Sequence, residues 1–165
     1  MILSVLLAKG YPGLQYMIHE LVATTLWEDR ANFKPKEMPF PVRSLSHPFH
    51  CGFDAWFYMG LGGIQPTVEY PGFKRFNLRP VFVKQLNWVK VDYECDYGMI
   101  RSHWKRSGET IEWRVTVPPN TSATVQLPAL NSVRLNGRVV PRAKAGASKV
   151  VTFTIKAEAH FIETR

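Results

Sequence analysis

The sequence predicts an α+β protein in which a helical first part is followed by an antiparallel β-sandwich. In the first part, apolar residues recur every three or four positions, as expected for helices that bury one face. After Pro66, apolar and polar residues alternate, as expected for strands that bury one face of a sheet. We therefore expect two domains, a helical segment at residues 1–75 and a β-sandwich at residues 76–165.

Two helices are predicted in the first part. The first follows Pro12-Gly13, and its predicted buried face consists of Leu14, Met17, Ile18, Leu21 and Val22. The second runs from about His47 to Leu61 and ends in a glycine-rich stretch. The apolar run at residues 1–10 is too short to span a bilayer and predicts a core helix rather than a signal peptide. Between the helices lies a proline-rich loop at residues 29–43, and loops of this length are more often functional than idle.

Three segments of the second part show strict alternation of apolar and polar residues. They are residues 89–94, 109–117 and 151–156. Turn residues separate the predicted strands, and Asn136-Gly137 is the strongest hairpin signal among them. The other turn signals are Tyr97-Gly98, Ser107-Gly108, Pro118-Pro119-Asn120 and Ala145-Gly146. Short strands with this spacing predict a β-sandwich.

The net charge of +8 lies almost entirely in the second part of the chain. Residues 1–75 contain seven Lys and Arg against six Asp and Glu, whereas residues 76–165 contain fourteen against seven. These basic residues alternate with apolar ones, which is typical of an exposed sheet face. We expect no nucleic acid partner and no membrane association. Cys51 and Cys95 are expected to be thiols rather than a disulfide, and they leave the compartment undetermined.

Several short motifs resemble, in order and spacing, the C-terminal part of the bacterial α-L-rhamnosidases. They include Gly10-Tyr11-Pro12-Gly13, Ala23-Thr24-Thr25-Leu26-Trp27-Glu28, Ser44-Leu45-Ser46-His47, Gly63-Ile64-Gln65-Pro66, Tyr97-Gly98-Met99-Ile100 and Val115-Thr116-Val117-Pro118-Pro119-Asn120. The resemblance covers nearly the whole chain. It implies inverting glycoside hydrolases that have an (α/α)₆ barrel followed by a C-terminal β-sandwich. Residues 1–75 would then be the last few helices of such a barrel.

The resemblance also implies three site residues. Glu28 matches the Glu of the family's Ala-Thr-Thr-x-Trp-Glu motif, a catalytic general base that deprotonates the attacking water. His47 matches a histidine that hydrogen-bonds the sugar, and an imidazole suits a hydroxyl because it can both donate and accept. Trp27 would bind the substrate through an apolar face. Without the resemblance, Glu28 is typical of a solvated surface carboxylate, and His47 of a residue that caps or packs at a helix start.

The family's general acid lies in an Asp-rich upstream segment, and the 165 residues contain no such segment. The leading hypothesis is a C-terminal portion of an α-L-rhamnosidase-like hydrolase that is inactive alone. Its partners would be a rhamnose-containing carbohydrate and either the upstream barrel or a second copy of the chain. No cofactor and no metal are implied, because inverting hydrolysis by two carboxylates requires neither.

A second hypothesis makes residues 76–165 a carbohydrate-binding or structural β-sandwich module. Its aromatic platforms would be Trp88, Trp104 and Trp113. The alternation around Trp113 favours core packing for that residue. Binding of rhamnose-containing oligosaccharides after deletion of residues 1–70 would favour the module.

Overall fold

A computed structural model of the chain consists mostly of β-strands with a few short helices. It describes residues 2–28, 44–128, 132–141 and 150–165. The chain forms two compact units, residues 1–54 and residues 55–165. The described part of the first unit contains two α-helices of six residues each, so the barrel itself is not in this chain. The predicted domain boundary near residue 75 stays a prediction.

The helix predicted after Pro12-Gly13 forms as α2 (Leu14–His19) but is shorter than its apolar pattern indicates. It is preceded by helix α1, which spans Ile2–Leu7. In the predicted buried face of α2, Met17 is buried, whereas Ile18 and Val22 are exposed. The helix cannot continue through Val22, whose φ of 54° is left-handed and unusual for a β-branched residue. None of the described helices has the length and apolar character that crossing a membrane requires.

Two further helix predictions are corrected by the structure. The apolar run at residues 1–10, predicted to be a core helix, does form helix α1. It is not a core helix within this chain, because Val5 and Leu7 are 40% and 49% exposed. The predicted helix from His47 to Leu61 is instead a 3₁₀-helix at Pro48–Phe53 and a π-helix at Phe57–Leu61. Glycines inside this stretch weaken a continuous α-helix, because glycine is the poorest helix former after proline.

Eight strands of the described chain form one hydrogen-bonded network in residues 55–165. They are β1 (Ile64–Pro66), β2 (Arg75–Leu78), β3 (Trp88–Cys95), β4 (Gly98–Ser107), β5 (Thr110–Pro128), β6 (Val133–Leu135), β7 (Arg138–Val139) and β8 (Val150–Thr164). A three-residue 3₁₀-helix at Pro71–Phe73 precedes β2. The three segments with strict alternation lie in β3, β5 and β8, as predicted.

Strands β5 and β8 are long and pair with each other in antiparallel orientation. Each of them runs through two groups of strands. The first half of β5 pairs with β4, which pairs with β3, and the end of β8 pairs with β6. The second half of β5 pairs with β2, which pairs with β1. The β2–β5 pairing is parallel and departs from the antiparallel prediction. The register shifts between Val117 and Ser122, so the predicted turn Pro118-Pro119-Asn120 is an irregularity within β5 rather than its end.

Both strand groups bury side chains in one hydrophobic core. The buried apolar residues of β5 are Ile111, Trp113, Val115 and Val117 before the irregularity and Ala123, Val125 and Leu127 after it. Each half of the strand therefore keeps the two-residue period that the sequence predicts. Two strand groups that share one core through bent strands are consistent with the predicted β-sandwich.

Two buried tryptophans of this core are hydrogen-bonded as well as packed. Trp104 donates its indole N–H to the carbonyl of Leu61 at 2.9 Å. Trp113 donates to the Ser102 hydroxyl at 2.9 Å, and that hydroxyl donates to the carbonyl of Gly62 at 2.6 Å. An indole N–H buried without an acceptor would cost about 1–3 kcal/mol, so these bonds fix β4 and β5 to the end of the π-helix.

The Asn136-Gly137 hairpin is confirmed between β6 and β7. Both residues have positive φ, 49° and 79°, as a type I′ turn requires. The Ala145-Gly146 signal lies outside the described residues. Cys95 is a free thiol that donates to the carbonyl of Gly98 at 3.2 Å, and the side chain of Cys51 is not among those described.

Candidate functional site

Two backbone hydrogen bonds join the segments that precede and follow residues 29–43. The N–H of Glu28 donates to the carbonyl of Ser44 at 2.9 Å. The N–H of His47 donates to the carbonyl of Leu26 at 2.8 Å. The two ends of the predicted functional loop are thus held together, while the loop itself lies outside the described residues.

The Glu28 carboxylate is held at the same place. Its Oε2 accepts a hydrogen bond from the N–H of Ser44 at 3.1 Å. The Thr25 hydroxyl donates to the carbonyl of Leu45, and the N–H of Ser46 donates to the Ser44 hydroxyl at 3.2 Å. Because hydrogen bonds to a charged acceptor are stronger than neutral ones, the Ser44 contact restrains the ionised carboxylate.

His47 lies beside this carboxylate. Its Nδ1 is 3.9 Å from Oε2 of Glu28, which is beyond hydrogen-bond distance but close enough for an ion pair when the ring is protonated. The side chains of His47 and Glu28 are 26% and 36% exposed, so both are partly accessible to a ligand. The structure therefore brings together two of the three residues that the motifs predict.

Trp27 is in a different environment from its neighbour Glu28. Only 8% of Trp27 is exposed, so little of its ring is open within this chain. Stacking on a sugar requires an open aromatic face. A role for Trp27 in substrate binding stays a prediction, and its burial favours packing.

Thr25 and Ser44 hold this site in place, although the sequence interpretation gave them no role. Both lie in the motifs that contain Glu28 and His47. Ser44 contacts Glu28 through its backbone N–H and carbonyl, which any residue type offers, whereas its hydroxyl accepts a hydrogen bond from the N–H of Ser46. The role of Thr25 could have been predicted from the sequence, because a threonine hydroxyl near a predicted catalytic carboxylate can hydrogen-bond the backbone and hold it in place.

The three tryptophans of the module hypothesis are in unequal environments. Trp104 and Trp113 are 2% and 0% exposed, which confirms the predicted core packing of Trp113 and removes Trp104 as a platform. Trp88 is 64% exposed at the start of β3. Of these three, Trp88 alone presents a ring to solvent.

Acidic and imidazole side chains come together in pairs elsewhere in the described chain. His103 Nε2 is 2.5 Å from Oδ1 of Asp92, and His160 Nδ1 is 3.7 Å from Oε1 of Glu158. Within the ranges that the structure describes, no three His, Cys, Asp or Glu side chains come together as a metal site would require.

Comparison with known proteins identifies relatives over most of the chain. The family model for the bacterial alpha-L-rhamnosidase C-terminal domain matches residues 63–140. An alpha-L-rhamnosidase of Formosa agariphila is 32% identical over 136 residues, which are 81% of this chain and 14% of that protein. The chain thus spans about one seventh of the length of this relative.

Solved structures of similar fold are also alpha-L-rhamnosidases. The alpha-L-rhamnosidase from Dictyoglumus thermophilum matches 99% of this chain and 18% of its own, with a TM-score of 0.82 and 24% identity. The Streptomyces avermitilis alpha-L-rhamnosidase, complexed with L-rhamnose, matches 98% of this chain and 16% of its own, with a TM-score of 0.80 and 21% identity. The fold is therefore that of a glycoside hydrolase C-terminal region. The chain corresponds to a C-terminal portion of the alpha-L-rhamnosidases, and its residues 63–140 match the C-terminal domain of the bacterial enzymes.

Proposed function

We propose that this chain is the C-terminal portion of an inverting α-L-rhamnosidase-like hydrolase and that Glu28 is its general base. Residues 1–75 would be the last helices of an (α/α)₆ barrel, and residues 76–165 the sandwich that follows. The observation that most directly supports the proposal is the position of Glu28. It is partly exposed, held by the Ser44 N–H, and 3.9 Å from the ring of His47.

In the proposed reaction, the Glu28 carboxylate accepts a proton from a water molecule as that water attacks the anomeric carbon. The attack comes from the face opposite the leaving group, so the configuration inverts. The Ser44 N–H would hold the carboxylate in one orientation, which favours proton transfer along a fixed path. His47 would hydrogen-bond a hydroxyl of the rhamnose, and Trp27 would contact the sugar only if part of its covering moved away.

The general acid of this reaction would come from outside the 165 residues. An inverting enzyme needs an acid on the leaving oxygen about 6.5–9.5 Å from the base, so that a water fits between base and sugar. Glu28 alone cannot supply both roles in one turnover. We therefore expect the 165-residue chain by itself to be inactive on rhamnosides.

The exposed apolar side chains of the helices support the need for a further partner. Val5 and Leu7 of α1 and Ile18 of α2 are each at least 40% exposed. Helices with apolar surface of this kind normally bury it against neighbouring helices. An upstream barrel would provide those neighbours, and a second copy of the chain is the alternative.

The test is a fusion in which this chain replaces the corresponding C-terminal portion of the Formosa agariphila enzyme. We expect the fusion to hydrolyse an aryl α-L-rhamnoside with inversion and the isolated chain to show no turnover. Glu28→Gln in the fusion should lower kcat about 10²–10⁴-fold, the usual contribution of a general base. Glu20→Gln, on an exposed carboxylate after α2, is the matched control and should leave kcat unchanged.

Two outcomes would contradict the proposal. Turnover by the isolated chain that disappears in Glu28→Gln would disprove the inactivity of the chain alone. An active fusion whose kcat is unaffected by Glu28→Gln would disprove the role of Glu28. Melting curves of both variants establish that any loss is not a loss of folding.

A further inference from the structure

The outward face of β3, β4 and β5, which we call the basic face, carries three rows of side chains across the strands. The strand register sets these rows as Trp88–Lys105–Glu112, Lys90–His103–Arg114 and Asp92–Arg101–Thr116. A groove of about 660 Å³ lies over the first two rows. A neighbouring groove of about 590 Å³ shares His103 and Arg114 with it.

The outer two rows of the basic face contain their own counter-charges. In the first row, Nζ of Lys105 is 3.0 Å from Oε2 of Glu112. In the third row, Asp92 Oδ1 is 3.9 Å from Nε of Arg101, and the same oxygen is 2.5 Å from Nε2 of His103 in the middle row. The carboxylates of these three rows, Asp92 and Glu112, are therefore already engaged.

The middle row has cations without a counter-charge. Within the described chain, neither Lys90 nor Arg114 has a carboxylate oxygen within the 4.0 Å that defines an ion pair. Both are exposed, on strands separated only by β4, so their backbones are about 10 Å apart. Because neither cation has a carboxylate partner among the described residues, an anion placed between them would be attracted to both.

Trp88 adds an apolar surface next to this row. It is two residues from Lys90 along β3, about 7 Å, and its side chain is on the same face. With 64% of the residue exposed, the indole ring is open to solvent at the edge of the groove. A flat aromatic ring beside two free cations is suited to a ligand with an apolar face and a negative substituent.

We propose that the basic face binds an anionic oligosaccharide. One pyranose ring would stack on Trp88, and a carboxylate or sulfate of a neighbouring unit would accept hydrogen bonds from Lys90 and Arg114. Single-stranded nucleic acid fits less well, because such sites combine several stacking aromatics with a tract of phosphate contacts. This site is independent of the proposed hydrolytic function, since its occupation requires neither Glu28 nor a barrel.

The test is titration calorimetry on the 165-residue chain at low ionic strength with matched probes. A galacturonic acid trimer is compared with its methyl ester, and a sulfated dextran oligosaccharide with unsulfated dextran of the same length. Oligo(dT) of similar charge tests nucleic acid. The variants are Trp88→Ala and Arg114→Gln, with Lys156→Gln as the control because Lys156 is an exposed cation of β8 outside both grooves.

We expect at least one charged probe to bind at least about tenfold more tightly than its neutral counterpart, and added salt to weaken that binding. Arg114→Gln should weaken it about tenfold, the effect of one lost hydrogen bond to a charged group. Trp88→Ala should also weaken it about tenfold, because the apolar stacking surface for the sugar ring is lost. Lys156→Gln should leave it unchanged. A preference for the uronate or for the sulfate identifies which acidic group the site takes.

The proposal is overturned if neither charged probe binds or if charged and neutral probes bind equally. It is also overturned if the two variants, shown to be folded by their melting curves, bind as the unmodified chain does. Tighter binding of oligo(dT) than of both carbohydrates would assign the face to nucleic acid instead.

Discussion

The two compact units of the chain differ in how far they bury their apolar side chains. In the described part of residues 55–165, nineteen buried apolar residues form one continuous core. In the described part of residues 1–54, the buried apolar residues are Met17 and Trp27. The sheet unit therefore has a core of its own, whereas the helical unit leaves apolar surface of both α-helices exposed. Helices obtain most of their stability from packing, so the second unit, rather than the first, should determine whether this chain folds.

The largest expected effect comes from separating the two units. Residues 55–165 expressed alone should unfold cooperatively, within a few degrees of the full chain. Residues 1–54 alone should show no cooperative transition, because the two buried apolar residues of its described part cannot offset the conformational entropy of the residues ordered there. Calorimetry of both fragments checks this. A cooperative transition in residues 1–54 would show that the helical unit carries a sufficient core.

Matched truncations of aliphatic side chains would sharpen the same comparison. Leu127→Ala removes a side chain that is 0% exposed and should lower the free energy of unfolding by about 2–5 kcal/mol. Ile18→Ala removes one that is 43% exposed and should change it by less than about 0.5 kcal/mol. Denaturant titration of both variants gives the difference. Equal losses would mean that Ile18 is buried by an association not present in the single chain.

A smaller effect is expected from the buried hydrogen bonds of the sheet unit. Ser102→Ala leaves the Trp113 indole N–H without an acceptor and the Gly62 carbonyl without a donor, and should cost about 1–3 kcal/mol. Ser107→Ala, at the exposed end of β4, is the control and should be nearly neutral. Combining Ser102→Ala with Trp113→Phe should cost less than the sum of the two changes, since the orphaned donor is gone. Strict additivity would rule out the proposed coupling.

The sequence pattern predicted the strands better than the helices for a physical reason. A two-residue period survives the irregularity at Pro118-Pro119-Asn120, because each half of β5 keeps its own apolar face. A helical period indicates only that a helix would be amphipathic if it formed. It cannot reveal the positive φ of Val22, which excludes a helix that runs through this residue. The parallel pairing of β2 with β5 is likewise a long-range arrangement without a local signal.

The candidate sites could likewise be predicted only in part, because local motifs identify residues but not which of them come together in the fold. The motifs implied roles for Glu28 and His47, but their closeness depends on backbone bonds between two segments that no periodicity predicts. The exposed sheet face was predicted from alternation alone. The free charges of Lys90 and Arg114 emerge only from the register of β3, β4 and β5, because that register decides which cations acquire a carboxylate neighbour.

Strands β5 and β8 also constrain how this region can change during evolution. Fourteen residue pairs join the two strands, and both strands run through both strand groups. A duplication, deletion or exchange that removed one group would leave half of each long strand without its neighbours. Such a region is expected to be inherited as an indivisible piece, and its diversity should arise through substitutions on exposed faces such as the basic face rather than through recombination of its sheets.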